Sequence, residues 1–90
     1  MYTKEITVKN PTGLHARPAS EFVDCAAGFS SKIQIARGDE PDDPVNAKSM
    51  VLLLTLGLAQ DDVAVISAEG EDEVQAVDTL VALIESGFGE

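Results

Sequence analysis

Ser49-Met50-Val51-Leu52-Leu53-Leu54-Thr55-Leu56-Gly57 is an apolar run with no internal period, so pattern alone leaves it open between strand and helix. Composition favours the helix, because Met and Leu lose little rotamer freedom there. Ser49 brings a side-chain oxygen that caps a first turn, and Gly57 ends the run. With this stretch helical, the segments on either side fall into an order. Upstream, Lys32-Ile33-Gln34-Ile35-Ala36-Arg37 puts Ile33 and Ile35 on one face with Lys32 and Gln34 between them, the period of a half-buried strand. Between the two, Gly38 to Pro44 reads as a solvated loop: Pro41 and Pro44 lack ladder donors, and Asp39, Glu40, Asp42 and Asp43 repel one another. A short edge strand is predicted at Val45 to Ala47.

Further out, Tyr2 to Val8 mixes β-branched Thr3, Ile6, Thr7 and Val8 with charges and precedes the turn residues Asn10-Pro11-Thr12-Gly13, so it is a first strand. From Ala16, apolar Ala19, Phe22, Val23 and Ala26 recur at helical spacing, with Pro18 tolerated in the first turn and Gly28 placed as the cap. Val63 to Ala68 is the fourth strand. Val74, Val77, Leu80, Val81 and Ile84 mark a last amphipathic helix, with Glu71, Asp72 and Glu73 at its positive end. The order β-α-β-β-α-β-α predicts an α+β open-faced sandwich: a four-stranded sheet buried on one face by helices, in one domain over residues 1–90.

The composition narrows the function. Ninety residues, 44% of them apolar, suit one small core rather than a two-domain enzyme. Six Lys and Arg against sixteen Asp and Glu give a net charge of −10, which leaves no basic stripe for nucleic acid or anionic lipid. The apolar run is far short of the roughly 20 residues of a membrane span. One cysteine and an N-terminus without a signal-peptide core lead to the expectation of a reducing cytoplasm, and the chain is expected to be a monomer. One histidine and one cysteine make no metal site, and no cofactor is expected. Cys25 falls beside the apolar stripe of its helix and is expected to be partly exposed and unreactive.

The chemistry lies in Gly13-Leu14-His15-Ala16-Arg17-Pro18-Ala19-Ser20, which sets the chain's single histidine at a helix start. The first N–H groups of a helix have no intrahelical acceptor, so the amides of Ala16 and Arg17 can donate to an anion beside the imidazole. Pro18 has no N–H to offer. A phosphoryl group on a ring nitrogen of His15 would meet those amides, with the Arg17 guanidinium as a further charged donor. On spacing alone, a helix-capping His15 and a solvated Arg17 account for these residues equally well.

This stretch closely resembles the active-site signature of the histidine-containing phosphocarrier protein (HPr) family of the bacterial phosphoenolpyruvate:sugar phosphotransferase system. Asn46-Ala47-Lys48-Ser49 resembles the family's regulatory-serine segment, Thr55-Leu56-Gly57-Leu58 the turn after it, and Ile66 to Glu73 the last strand-to-helix junction. The resemblance implies an HPr-like fold, a four-stranded antiparallel sheet covered on one face by three helices. It implies a carrier rather than an enzyme: His15 takes phosphate from enzyme I on Nδ1 and passes it to sugar-specific IIA proteins, Arg17 stabilises the group in transfer, and an HPr serine kinase/phosphorylase acts on Ser49 in some lineages.

Capping alone explains Ser49 as well as regulation does. A phosphate there would add about −1.5 to −2 charge beside Met50 and Val51, which together with Leu54 are the candidates for an apolar partner patch; one or two of them are expected at the surface. Where family members present lysines on the first two helices, this chain has Asp24, Ala27 and Leu52, and its Gly38 to Pro44 loop is longer and more acidic. A regulatory protein without carriage is the second reading, and the presence of His15 argues against it. An acyl carrier would need an Asp-Ser-Leu attachment site on a helical bundle, and a hydrolase a Ser-His-Asp arrangement; neither is suggested here.

Overall fold

A computed structural model describes residues 1–89. The elements are β1 (Tyr2–Thr7), α1 (Arg17–Ala27), β2 (Lys32–Arg37), β3 (Val45–Asn46), α2 (Met50–Thr55), β4 (Val63–Glu69) and α3 (Glu73–Glu85), followed by a short 3-10 turn at Gly87–Gly89. The strands lie in the order β1-β4-β2-β3 and every pair is antiparallel. Ile6 stands opposite Ala64, and Ile35 opposite Ile66, so the apolar residues of three strands share one face.

Strand alternation decides which face is covered. In β4, Ala64, Ile66 and Ala68 are buried while Val65 and Ser67 between them are half-buried and Val63 and Glu69 are exposed. The buried face meets Ala19, Phe22 and Ala26 of α1, Leu53 of α2, and Val77, Leu80 and Ile84 of α3 in one cluster. Burying the Phe, Leu, Val and Ile side chains contributes roughly 1.5–3 kcal/mol each, and that sum opposes the chain entropy of folding.

Boundaries and details differ from the sequence reading at several points. Strand β1 stops at Thr7, although Val8 stays buried and its N–H still donates to Asp62 O at 2.8 Å. Helix α1 starts at Arg17 rather than Ala16, because Ala16 turns to φ 50°, ψ −115° just before it. Val23 is only half-buried, and Val74 is exposed. Gly28 does cap α1, but at φ −75°, a conformation open to other residues. Strand β3 is two residues long, ending at Asn46. Phe88, to which no role was assigned, is buried in the core at φ 56°.

Asp72 occupies the capping position of α3 without capping it. Its carboxylate instead accepts from the Ser30 N–H at 2.9 Å, the Ser31 N–H at 3.0 Å and both serine hydroxyls, tying the α1–β2 turn to the start of the last helix. Gly70 makes the approach possible. A Cβ there would sit 2.5 Å from Ser31 Oγ, and its φ of 153° is one that other residues rarely adopt. The helix start is served by Glu73, whose carboxylate accepts from the Gly70 N–H at 3.2 Å.

Candidate functional site

The loop that carries His15 is built from its two ends inward. Asn10 is buried, and its side-chain amide donates to Gly13 O at 2.6 Å and Thr12 Oγ1 at 3.1 Å, while the Gly13 N–H donates to Asn10 O at 3.1 Å. Gly13 then passes against the α2–β4 turn. Its φ is 68°, and a Cβ would lie 2.4 Å from Leu58 O and 2.7 Å from Ala59 Cα, so no other residue fits without moving the backbone. Leu14 is buried and its N–H donates to that same Leu58 carbonyl at 2.8 Å.

After this anchored pair the chain surfaces. His15, Ala16 and Arg17 are all exposed, whereas Pro18 and Ala19 return to the core. Ala16, at φ 50°, is a non-glycine residue in a left-handed region, which costs on the order of 1–3 kcal/mol and is sustained only by the contacts on either side. Its carbonyl accepts from the Ser20 N–H at 3.1 Å, closing the first turn of α1. An imidazole held out on such a bend, immediately ahead of helix N–H groups, is open to the reactive centre of another protein.

Arg17 is 87% exposed and its Nε lies 3.4 Å from Glu21 Oε1, one turn along the helix. A pair so exposed contributes little, so the guanidinium is readily recruited elsewhere.

Ser49 caps α2 as read from the sequence, its hydroxyl accepting from the Leu52 N–H at 3.3 Å. The apolar run divides by helical geometry. Leu53 is fully buried and Met50 half-buried, whereas Val51 is 72% exposed, Leu52 41% and Leu54 38%. The exposed face is therefore Val51, Leu52 and Leu54, with Met50 packed partly against the core. Leu52, noted only as a replaced lysine, belongs to it.

The sequence reading missed the underside of the site. Arg37, at the end of β2, donates from Nη1 to Leu56 O at 2.9 Å and Gly57 O at 3.1 Å, and the same nitrogen lies 3.3 Å from Asp62 Oδ2. Its Nε donates to Asp39 Oδ1 at 3.1 Å, the contact chiefly responsible for raising the guanidinium pKa. Lys48 is also tied down, its ammonium donating to Phe29 O at 2.7 Å. Cys25 is half-buried, and burial pushes its thiol up, away from reactivity. Among the described residues no group of three or more His, Cys, Asp or Glu could hold a metal ion, and no helix is long and apolar enough to cross a membrane.

A sequence model of the family described as "PTS HPr component phosphorylation site" matches residues 2–86. The chain is 48% identical over 84 residues to a phosphocarrier protein HPr of Haemophilus influenzae, covering 93% of this chain and 95% of that protein. It is 43% identical over 82 residues to a multiphosphoryl transfer protein of Xanthomonas campestris, covering 91% of this chain and 9% of that protein. Among solved structures, HPr-C-His from Thermoanaerobacter tengcongensis aligns with a TM-score of 0.93 and 49% identity, over 100% of this chain and 98% of that one.

Proposed function

The chain belongs to the HPr family of phosphocarriers, and from that membership we propose that it accepts a phosphoryl group on His15 from enzyme I and hands it to sugar-specific IIA proteins in the cytoplasm. It is a substrate of phosphotransferases with no turnover of its own. The observation that carries this reading is the exposed His15 on a bend fixed from below by Gly13 and Leu14, directly ahead of α1.

In the transfer the imidazole Nδ1 attacks phosphorus as the bond from phosphorus to its donor group on enzyme I breaks, and the phosphorus–Nδ1 bond breaks in turn when a nucleophile of the IIA protein attacks. The amides of Ala16 and Arg17 and the guanidinium of Arg17, released from Glu21, donate to the phosphoryl oxygens. Met50, Val51 and the neighbouring Leu52 and Leu54 form the docking surface. A kinase acting on Ser49 would place a charge of about −2 at the edge of that surface and slow transfer, because the partner's apolar contact would have to be made beside an unpaired anion.

Labelling with phosphoenolpyruvate and enzyme I tests the assignment. One acid-labile phosphate per chain is expected, and His15→Ala should abolish it. Persistent labelling of that variant would remove His15 from the role.

A further inference from the structure

We propose that Arg37 and Asp62 are a positioning pair for His15, acting through the turn at residues 56–62 on which the phosphoacceptor loop rests. The inference rests on the carrier reading above.

Three sets of contacts carry it. Arg37 Nη1 holds the carbonyls of Leu56 and Gly57 where α2 ends, at 2.9 and 3.1 Å. Asp62 holds the other end of the turn, accepting from the Ala59 N–H at 2.9 Å, and the two side chains meet at 3.3 Å. The carboxyl of Asp62 lies below its ordinary range, first through the Ala59 N–H and then through Arg37, as a carboxylate engaged on both sides must. Between these ends lie Leu58 and Ala59. Leu58 O receives the Leu14 N–H, and Gly13 presses on both residues more closely than any side chain would permit. The turn is also stitched to the other flank of the same loop, with the Asp61 N–H donating to Val8 O at 2.8 Å and the Val8 N–H to Asp62 O at 2.8 Å.

The path from Arg37 to the imidazole thus runs guanidinium, carbonyls 56 and 57, carbonyl 58, Leu14 N–H, His15, with a hydrogen bond at each junction between segments. Arg37 is 24% exposed and Asp62 33%, so the pair is partly shielded from water, unlike Arg17 with Glu21. Neither residue touches the phosphoryl group. Their contribution is to hold His15 at the height at which its ring nitrogen reaches phosphorus in line, and a misplacement of about 1 Å can cost on the order of a hundredfold in rate.

The test compares Arg37→Ala, Arg37→Lys and Asp62→Asn with Lys4→Ala, which breaks an ion pair between β1 and α3 at 2.8 Å away from the site. Transfer from phosphorylated enzyme I gives kcat and KM, heat unfolding gives the stability of each variant, and ring and amide resonances of residues 14–16 report the loop without any partner. Arg37→Ala and Asp62→Asn should lower kcat about tenfold at unchanged KM and shift the His15 resonances, while Lys4→Ala leaves both at wild-type values. Arg37→Lys, whose ammonium can still serve a carbonyl and Asp62, should recover most of the rate. Unshifted His15 resonances, a loss confined to KM, or an equal loss in Lys4→Ala would each overturn the proposal. Should the wild-type chain accept no phosphate at all, the carrier reading fails, and the resonances still decide the positioning claim.

Discussion

At the scale of single residues, the carboxylate of Asp72 illustrates how a side chain in a familiar position can serve a different element. Four donors from Ser30 and Ser31, led by the Ser31 hydroxyl, pull its pKa from the ordinary 3.8 to about 2. The unfolded chain therefore binds the proton more readily than the folded one. Asp72 favours folding fully above its unfolded value, and this contribution disappears as pH falls from about 4 through 2. Glu73 and Asp78 are lowered too, the first mainly by the Gly70 N–H and the second mainly by Lys4, so the acid limb is shared. An acid titration followed by circular dichroism should show a shallower loss of stability between pH 4 and 2 in Asp72→Asn, from a lower starting point. Superimposable curves for the two proteins would mean that the serine contacts carry no free energy.

Among the elements, α2 separates a core side chain from an exposed apolar face within six residues. Leu53→Ala removes a fully buried side chain and should cost about 2–5 kcal/mol in urea unfolding. Val51→Asp changes a side chain that is mostly in water, so its stability should stay within about 0.5 kcal/mol while transfer from enzyme I slows. Val51 is a cleaner probe than Met50, which is partly core, and Lys48→Ala would disturb the bond to Phe29 O as well as remove a charge. The reverse pattern, normal transfer in Val51→Asp, would place docking elsewhere.

The same helix shows what the sequence could and could not convey. Its type was readable from Leu and Met content, yet its faces were not, because an unbroken apolar run contains no polar position to mark the outside. Strand β4 was legible from its β-rich content between Asp61-Asp62 and Glu69-Gly70, and helix α3 from the helical spacing of Val77, Leu80, Val81 and Ile84. The His15 loop was legible as a motif. Its platform was not: Arg37 binds backbone carbonyls 19 and 20 residues away, and Asp72 reaches serines 41 and 42 residues away, contacts that no local pattern encodes.

Over the whole molecule, a charge of −10 accompanies few cations, and several of these are engaged: Lys4 with Asp78, Arg37 with Asp39 and Asp62, and Lys48 with a carbonyl, while Arg17 is held only by its exposed pair with Glu21. The helix positions at Asp24, Ala27 and Leu52 are all exposed, and none offers a positive charge to a partner. On the proposed carrier reading, docking should therefore proceed with little electrostatic attraction over a distance. Steered association falls steeply as salt shortens the screening length, by factors of 10–10³ at its strongest, whereas burial of an apolar face does not. Stopped-flow transfer from phosphorylated enzyme I should change less than about threefold between low and high salt. A drop of ten times or more would show that attraction, not the Val51-Leu52-Leu54 face, brings the proteins together.

The strand order also sets a timetable. Among the described residues strand β1 pairs with β4 alone, residues 2–7 against 63–68, and the loop that follows it rests on Leu58. During synthesis at about 5–20 residues per second, the first strand waits several seconds for the segment it pairs with. Until then His15 belongs to a chain without the turn beneath it, and an interrupted or clipped product shorter than β4 has the histidine but not the bend that presents it. On the proposed carrier reading, competence to take up phosphate should then arrive together with completion of the sheet.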